Sequence, residues 1–188
     1  MGDPIVPDAH VKSKIVLIGG FLGAGKTTLL KEILSSGSDM SDTVVIVNEF
    51  GDVGIDGSML RGEKFDVIEL INGCICCSLL VDLTVMLKKI AKDFKPRYIV
   101  IEGSGVADPR SIIGAVKQDH VKDYVELYKT VTVMDADCWM VRELLGELFS
   151  LQLQTADLIL LNKIDLLDKG DMGKCLDWLH DMAPHAQV

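Results

Sequence analysis

The stretch that most constrains the fold of this chain is GFLGAGKT, from Gly20 to Thr27, which matches the pattern G-x-x-x-x-G-K-S/T. Its glycines allow the backbone to curl, so that consecutive N–H groups point inward at phosphate oxygens. Lys26 then reaches the β- and γ-phosphates, and the Thr27 hydroxyl binds Mg²⁺. The sequence therefore predicts a phosphate-binding loop made of Gly20, Gly23, Ala24, Gly25, Lys26 and Thr27.

Apolar runs alternate with amphipathic stretches along the chain, and short continuous apolar runs are typical of strands buried on both faces. The predicted strands are Lys14 to Gly20, Thr43 to Phe50, Phe65 to Ile71, Arg97 to Glu102, Thr130 to Asp135 and Leu158 to Asn162. The predicted helices are Lys26 to Ser35, Ser78 to Lys92, Asp137 to Phe149 and Met172 to His180. This order indicates an α/β fold, with a mainly parallel sheet and helices on both faces. Ligands of such folds bind at the carboxyl ends of the strands.

Length, charge and hydropathy narrow the class of protein further. The chain has 188 residues, which suits one domain, with residues 1–13 as a disordered lead and residues 14–188 as the folded part. A net charge of −9 argues against a nucleic-acid partner, whose phosphates attract basic surfaces. No apolar run approaches the roughly 20 residues that cross a bilayer, and the N-terminal stretch has no apolar signal core. We therefore expect a cytoplasmic protein without a membrane partner.

The motif Asn-Lys-x-Asp follows the last predicted strand, in the sequence LILLNKID. Guanine offers two adjacent donors, N1–H and the 2-amino group, and the carboxylate of Asp165 can accept both. Adenine lacks this pair, so a buried carboxylate would stay partly unsatisfied with ATP. Asn162 and Lys163 would brace the loop and cover the base. The motif therefore favours GTP and GDP over adenine nucleotides.

The strand RYIVIE ends in Glu102, with Gly105 three residues later. A carboxylate at this edge can hold Mg²⁺ through water or polarise the attacking water, and the Gly105 N–H can sense the γ-phosphate. We therefore predict Lys26 and Glu102 as the catalytic residues.

Three of the five cysteines fall within four residues, at Cys74, Cys76 and Cys77. A disulfide framework would spread its cysteines along the chain, so a metal or thiol site is the better interpretation. Thiolates this close together suit a soft or borderline ion such as Zn²⁺ or Cu(I). The acidic stretch NEFGDVGID offers a further ligand, through Glu49 or Asp52.

In chain order, GGFLGAGKTTLL, VNEFGDVGID, NGCICCS, EGSGVADP and LNKIDL resemble the GTPase domain of the CobW-type metallochaperone family, which is related to the UreG and HypB nickel-insertion GTPases. The resemblance runs from about Lys14 to Val188, and Cys-x-Cys-Cys after the third strand is its most specific motif. It implies a P-loop NTPase fold that couples GTP binding and hydrolysis to holding a metal, often zinc or cobalt, and passing it to a target. The family usually continues into a smaller C-terminal domain, which we expect to be absent from this chain.

The resemblance also implies roles for individual residues. Those on phosphate and Mg²⁺ are Gly23, Gly25, Lys26, Thr27 and Thr28. Those on guanine are Asn162, Lys163 and Asp165, and those on the transferred metal are Cys74, Cys76 and Cys77. Glu102 stands where the family has a glutamate, and Gln152 stands where the family commonly has a glutamine.

The leading hypothesis is a GTPase that uses GTP/GDP and Mg²⁺ and carries Zn²⁺ or Co²⁺ to a metal-dependent target protein. An alternative is a GTPase-type activator of a cobalamin- or metal-dependent enzyme, in which the cysteines are structural. A third is a small-molecule kinase that uses ATP, which the Asn-Lys-x-Asp motif disfavours. A nucleotide-dependent homodimer is a further expectation, because proteins of this type often pair across the nucleotide face.

Overall fold

A computed structural model describes residues 11–37, 39–47, 66–69 and 79–188, of which 66–69, 79–82 and 169 are described by their backbone alone. The strands are β1 Ser13–Gly19, β2 Thr43–Val47, β3 Asp66–Glu69, β4 Tyr98–Glu102, β5 Val125–Asp135 and β6 Leu158–Asn162. The α-helices are α1 Lys26–Ser35, α2 Leu79–Asp93, α3 Pro109–Val116, α4 Gly146–Gln154 and α5 Lys169–Met182. Short 3-10 turns span Ala136–Trp139, Arg142–Leu144 and Ile164–Leu166.

The strands form one six-stranded sheet in the order β3-β2-β4-β1-β5-β6, and every neighbouring pair is parallel. In its register, Ile18 of β1 lies beside Glu102 of β4, and Asp135 of β5 lies beside Asn162 of β6. The carboxyl ends of these strands therefore bring two acidic residues and the start of the Asn-Lys-x-Asp motif to the edge where the loop after β1 begins.

Alternate residues of the central strands enter different hydrophobic clusters, because successive side chains of a strand point to opposite faces. Ile15 and Leu17 of β1 pack with buried residues of α2 and α3, whereas Ile18 packs in the cluster that contains Leu30 of α1. Helices therefore cover both faces of the parallel sheet, as predicted. A further cluster joins α4 and α5 to β5 and β6.

Most predicted elements agree with the structure. Helix α1 and strand β6 have the predicted bounds, and the other predicted strands overlap observed ones. The predicted strand ends at 48–50, 65 and 70–71 lie outside the described residues, as does most of the predicted lead, at residues 1–10. No helix in the described part of the chain has the length and apolar character needed to span a bilayer.

The predicted helix from Asp137 to Phe149 is wrong. Two 3-10 turns occupy its first half, and α4 begins only at Gly146. Gly146 has a φ of 75°, a left-handed conformation that a continuous right-handed helix cannot contain. The side chain of Asp135 accepts a hydrogen bond from the backbone N–H of Asp137 at 3.0 Å, which starts a tight turn instead of a long helix.

Helix α3 was not predicted from the sequence, although its start signal is present. Asp108 caps the helix by accepting a hydrogen bond from the Arg110 N–H at 2.9 Å, and Pro109 occupies the first helical position. The helix has eight residues, too few for a clear apolar periodicity. The helix nevertheless matters for the site, because the loop that follows Glu102 ends at its first residue.

Candidate nucleotide-binding site

The loop between β1 and α1 curls tightly at three glycines with positive φ: Gly20 at 132°, Gly23 at 73° and Gly25 at 103°. A β-carbon on Gly20 would overlap the main-chain carbonyl of Val133 on β5, and one on Gly25 would overlap the side-chain amide of Asn162. Glycine is therefore required at both positions by conformation and by close packing. The predicted phosphate-binding loop has the strand–loop–helix context that its motif needs.

Lys26 begins α1 and folds back over the loop. Its Nζ donates a hydrogen bond to the Phe21 carbonyl at 3.0 Å, and the residue is 8% exposed. Burial lowers the pKa of the Lys26 ammonium, and the nearby Glu102 carboxylate partly opposes this shift. The ammonium thus lies against a carbonyl of the loop that the motif assigns to phosphate.

Thr27 and Glu102 are joined directly across the edge of the sheet. The Thr27 hydroxyl donates a 2.6 Å hydrogen bond to Oε1 of Glu102, which is 5% exposed. Burial raises the pKa of Glu102, while this hydrogen bond and the charges of Lys26 and Lys31 act against the shift. Its Oε2 is buried and has no hydrogen-bond partner among the residues that the structure describes.

The donor set at this point fits Mg²⁺. The Thr27 hydroxyl oxygen and the unpartnered Oε2 of Glu102 are both hard oxygen ligands. Mg²⁺ takes ligands of this kind, usually together with phosphate oxygens and water. The contact between Thr27 and Glu102 therefore agrees with the prediction that both residues bind one Mg²⁺ ion.

Asn162 connects the predicted base motif, Asn162 to Asp165, to the phosphate loop. Its Nδ2 donates to the Ala24 carbonyl at 2.9 Å, and its Oδ1 accepts from the Lys163 N–H at 2.9 Å. Ala24, itself a residue of the loop, is fully buried. The side-chain amide thus fixes the distance between the two motifs, which are far apart in sequence.

Lys163 has a φ of 55° and directs its side chain to β5, where Nζ lies 2.6 Å from Oδ2 of Asp135. This contact raises the pKa of the Lys163 ammonium. Asp165 follows on the exposed 3-10 turn Ile164–Leu166. Sequence reasoning missed Asp135, although its position at the carboxyl end of β5 matches that of Glu102 on β4.

A cavity of about 250 Å³ lies beside the loop, between α1 and the ends of β5 and β6. Its lining residues are Gly25, Thr28, Leu29, Glu32, Val133, Leu160, Leu161 and Asn162. Thr28, a predicted phosphate ligand, therefore faces the space between the phosphate loop and the base motif.

The predicted metal ligands Glu49, Cys74, Cys76 and Cys77, like Asp52, lie outside the described residues. Within residues 11–37, 39–47, 66–69 and 79–188, no three His, Cys, Asp or Glu residues form a group suited to a metal ion. The remaining cysteines differ in setting, since Cys175 is buried in the core and Cys138 is half-buried. Burial raises the pKa of both thiols.

Comparison with known proteins identifies the family. The family model of the CobW/HypB/UreG nucleotide-binding domain matches residues 14–188. The chain belongs to the CobW/HypB/UreG family. The chain is 37% identical to the zinc chaperone CobW of Sinorhizobium sp, over 88% of this chain and 55% of that protein. It is 32% identical to zinc-regulated GTPase metalloprotein activator 1 of Dictyostelium discoideum, over 94% of this chain and 45% of that protein.

Solved structures agree with this assignment. The Zn(II)-bound YjiA GTPase of E. coli matches with a TM-score of 0.66 and 26% identity, over 90% of this chain and 54% of that one. The hydrogenase maturation factor HypB of Archaeoglobus fulgidus, at 18% identity and a TM-score of 0.64, covers 94% of this chain and 79% of its own, and shows the shared fold. The predicted P-loop NTPase fold is thereby confirmed. The CobW/HypB/UreG-family chain spans about half the length of the curated relatives that it matches.

Proposed function

We propose that this chain binds and hydrolyses GTP, and that its nucleotide state controls the holding and delivery of a metal ion, zinc or cobalt, to a metal-dependent target protein. The observation that carries the nucleotide part is the hydrogen bond between Asn162 and the Ala24 carbonyl. This bond supports the proposal because it joins the first residue of the Asn-Lys-x-Asp motif to the loop after β1, beside a cavity that Gly25, Thr28 and Asn162 help to line.

In this proposal, the N–H groups of the loop and Lys26 bind the phosphates, and Thr27 and Glu102 would hold Mg²⁺. A cation held there would supply neutralisation of the negative charge on the phosphates. Lys26 leaves the Phe21 carbonyl for the phosphates, because a phosphate oxygen is the stronger acceptor for an ammonium. The buried Glu102 carboxylate accepts from Thr27 through Oε1, which leaves Oε2 without a hydrogen-bond partner among the described residues.

The metal part is supported by the sequence of Cys74, Cys76 and Cys77 and by relatives named zinc chaperone and zinc-regulated GTPase. Zinc is here the cargo, and three clustered thiolates with one carboxylate, Glu49, make a suitable donor set. Coupling requires that nucleotide and zinc change each other's affinity by the same factor.

Three measurements test the proposal. Guanine nucleotides should bind at least about 100-fold more tightly than ATP, because a bound base would displace water from the exposed Asp165 carboxylate and adenine lacks the pair of donors that replaces it. Zinc titration with and without a non-hydrolysable GTP analogue should give different affinities, and zinc binding indifferent to nucleotide would refute the coupling.

A triple variant with Cys74, Cys76 and Cys77 replaced by Ser should lose the tight zinc site, whereas the matched control C138S should retain it.

The relative named as a metalloprotein activator favours a second candidate, in which the chain changes the conformation of a partner enzyme and the cysteines are structural. In that case, the triple cysteine variant should still activate the partner. Loss of activation together with loss of zinc binding would support the chaperone function instead.

A nucleotide-dependent homodimer belongs to the same proposal. Leu22 of the phosphate loop and Val106 of the loop after β4 are 57% and 45% exposed, and a β-carbon on Gly105, the residue before Val106, would overlap Leu22. These apolar side chains flank the nucleotide face, where a second copy could cover them. Analytical ultracentrifugation with GDP and with a GTP analogue tests this, and a monomer in both states would contradict it.

A further inference from the structure

Gln152 reaches from α4 to the loop that follows Glu102. The side chain is 2% exposed, and its Nε2 lies 3.2 Å from the Gly105 carbonyl and 3.2 Å from the Ala107 carbonyl. A carboxamide nitrogen carries two N–H donors, one for each carbonyl. The loop between β4 and α3 is therefore held at two points by one buried side chain.

The backbone of Gln152 is itself attached to the sheet. Thr132 of β5 is 2% exposed, and its hydroxyl donates a 2.8 Å hydrogen bond to the Gln152 carbonyl. The neighbouring Leu153 is buried in the cluster that joins α4 to α5. Because both its backbone and its helix are packed, the carboxamide has a defined position relative to β5.

Gln152 also has a buried acceptor and lines a small pocket beside the loop after β4. Oε1 of Gln152 is buried without a hydrogen-bond partner among the described residues. Gln152 helps to line a pocket of about 10 Å³, which is close to the smallest volume that admits one water molecule. Its lining residues include Gly19, Gly103, Ser104, Ala107 and Thr132. Exchanging the amide oxygen and nitrogen would turn an acceptor toward two carbonyls, so the nitrogen belongs on the loop side.

The same loop is fixed on its opposite side by the phosphate loop. A β-carbon on Gly105 would lie 2.7 Å from the Leu22 backbone nitrogen, so the two loops are in close backbone contact. At the start of the loop, the Gly103 N–H donates to the Ile18 carbonyl of β1 at 2.8 Å. The N–H of Gly105, the residue expected to sense the γ-phosphate, therefore has its position set by Leu22 on one side and Gln152 on the other.

We infer that Gln152 is a positioning residue for the terminal phosphate: it holds the Gly105 and Ala107 carbonyls so that the Gly105 N–H favours GTP over GDP. This inference rests on the proposed GTPase function and names the residue that sets its nucleotide discrimination. GDP has no γ-phosphate, so its affinity depends on the loop after β1 and the base motif, to which Gln152 makes no hydrogen bond among the described residues. A glutamine with only a packing role would affect both nucleotides equally.

The test uses Gln152→Met, which keeps the length of the side chain and removes both donors. Gln154→Met is the matched control, because Gln154 lies on the same helix and its exposed amide bonds with Met182, through Sδ at 3.4 Å. For Q152M, we expect a GTP analogue to bind about tenfold more weakly, as for the loss of one or two hydrogen bonds, with GDP affinity changed by no more than about twofold. The kcat for GTP should fall by about tenfold, and Q154M should match the wild type.

Amide hydrogen exchange provides a second readout. Exchange in residues 103–108 should accelerate in Q152M without acceleration in α4, because the loop loses its anchor while the helix keeps its packing. Where Q152M fails to fold, Gln152→Asn carries the same test, since its shorter amide is withdrawn from the two carbonyls.

The outcomes separate the proposed function from the role of Gln152. An equal loss of GTP-analogue and GDP affinity, or no change in either, would overturn the positioning role. A wild-type chain that binds neither nucleotide would instead overturn the proposed function, and this inference with it.

Discussion

The hydroxyl of Thr27 and the carboxylate of Glu102 are joined by a 2.6 Å hydrogen bond, although the two residues are 75 positions apart in sequence. The bond links the phosphate loop after β1 to the carboxyl end of β4, which lies beside β1 in the sheet. Glu102 keeps its second oxygen buried without a partner among the described residues. A buried carboxylate in this setting destabilises the free protein and is available to a cation.

Replacing Glu102 with Gln should stabilise the nucleotide-free chain at neutral pH and reduce GTP hydrolysis strongly. Burial raises the pKa of Glu102, so its contribution to stability is present below the unfolded pKa and is lost as pH rises through the folded pKa. The glutamine of E102Q does not ionise, so the variant does not lose stability as pH rises. Its free energy of unfolding at pH 7 should exceed that of the wild type by on the order of 1 kcal/mol. Denaturant titrations at several pH values measure the difference, which should shrink as pH falls through the raised folded-state pKa of Glu102 and become constant below about 4.3, where an unperturbed glutamate becomes protonated. A difference independent of pH would contradict the burial argument.

Replacing Asn162 with Ala should weaken both GDP and GTP binding. The variant removes the hydrogen bond to the Ala24 carbonyl and leaves that buried carbonyl without its donor. The expected loss is about 1–2 kcal/mol, or roughly tenfold in Kd for both nucleotides. Fluorescent-nucleotide titration provides the measurement. An effect on GTP alone would indicate that Asn162 acts at the γ-phosphate, contrary to its position.

Replacing Asp165 with Asn should change base preference from guanine toward xanthine. The carboxylate of Asp165 is assigned to two donors of guanine, whereas xanthine carries a carbonyl in place of the 2-amino group and accepts from an amide. GTP affinity should fall by about 100-fold or more, and the affinity for xanthosine triphosphate should rise. Competition binding with the two nucleotides tests this. Unchanged base preference would remove Asp165 from the recognition site.

Replacing Asp135 with Asn should weaken nucleotide binding moderately and make it less sensitive to salt. Asp135 holds the Lys163 ammonium at 2.6 Å and also accepts from the Asp137 N–H. The amide of D135N still accepts from the Asp137 N–H but no longer forms the ion pair with Lys163. The Lys163 side chain can then move away from the position in which it would cover the base. Kd should rise by about threefold at low ionic strength, with a smaller effect in high salt. Asp171→Asn, which removes the surface pair with Lys174, is the matched control and should leave Kd unchanged.

The strong local signals of the sequence predicted most of the fold. Gly25 followed by Lys26 and a helix is recognisable because the turn chemistry is local, and β6 is recognisable as a short apolar run. The helix predicted from Asp137 to Phe149 failed because apolar spacing alone does not show the left-handed φ of Gly146. Helix α3 was missed because its cap at Asp108 is a short-range signal and its length gives little periodicity.

The sequence by itself determined which residues of the site are chemically suited to phosphate and guanine, because those motifs are contiguous and their spacing is local. It also placed Glu102 at a strand end. Tertiary structure alone decided which of these residues touch, because the parallel register brings strand ends together from distant parts of the chain. The contacts of Asn162 with Ala24, of Lys163 with Asp135, and of Gln152 with Gly105 follow from that register and from the packing of α4. The partners of a long side chain depend on three-dimensional distance, which no spacing within a motif records.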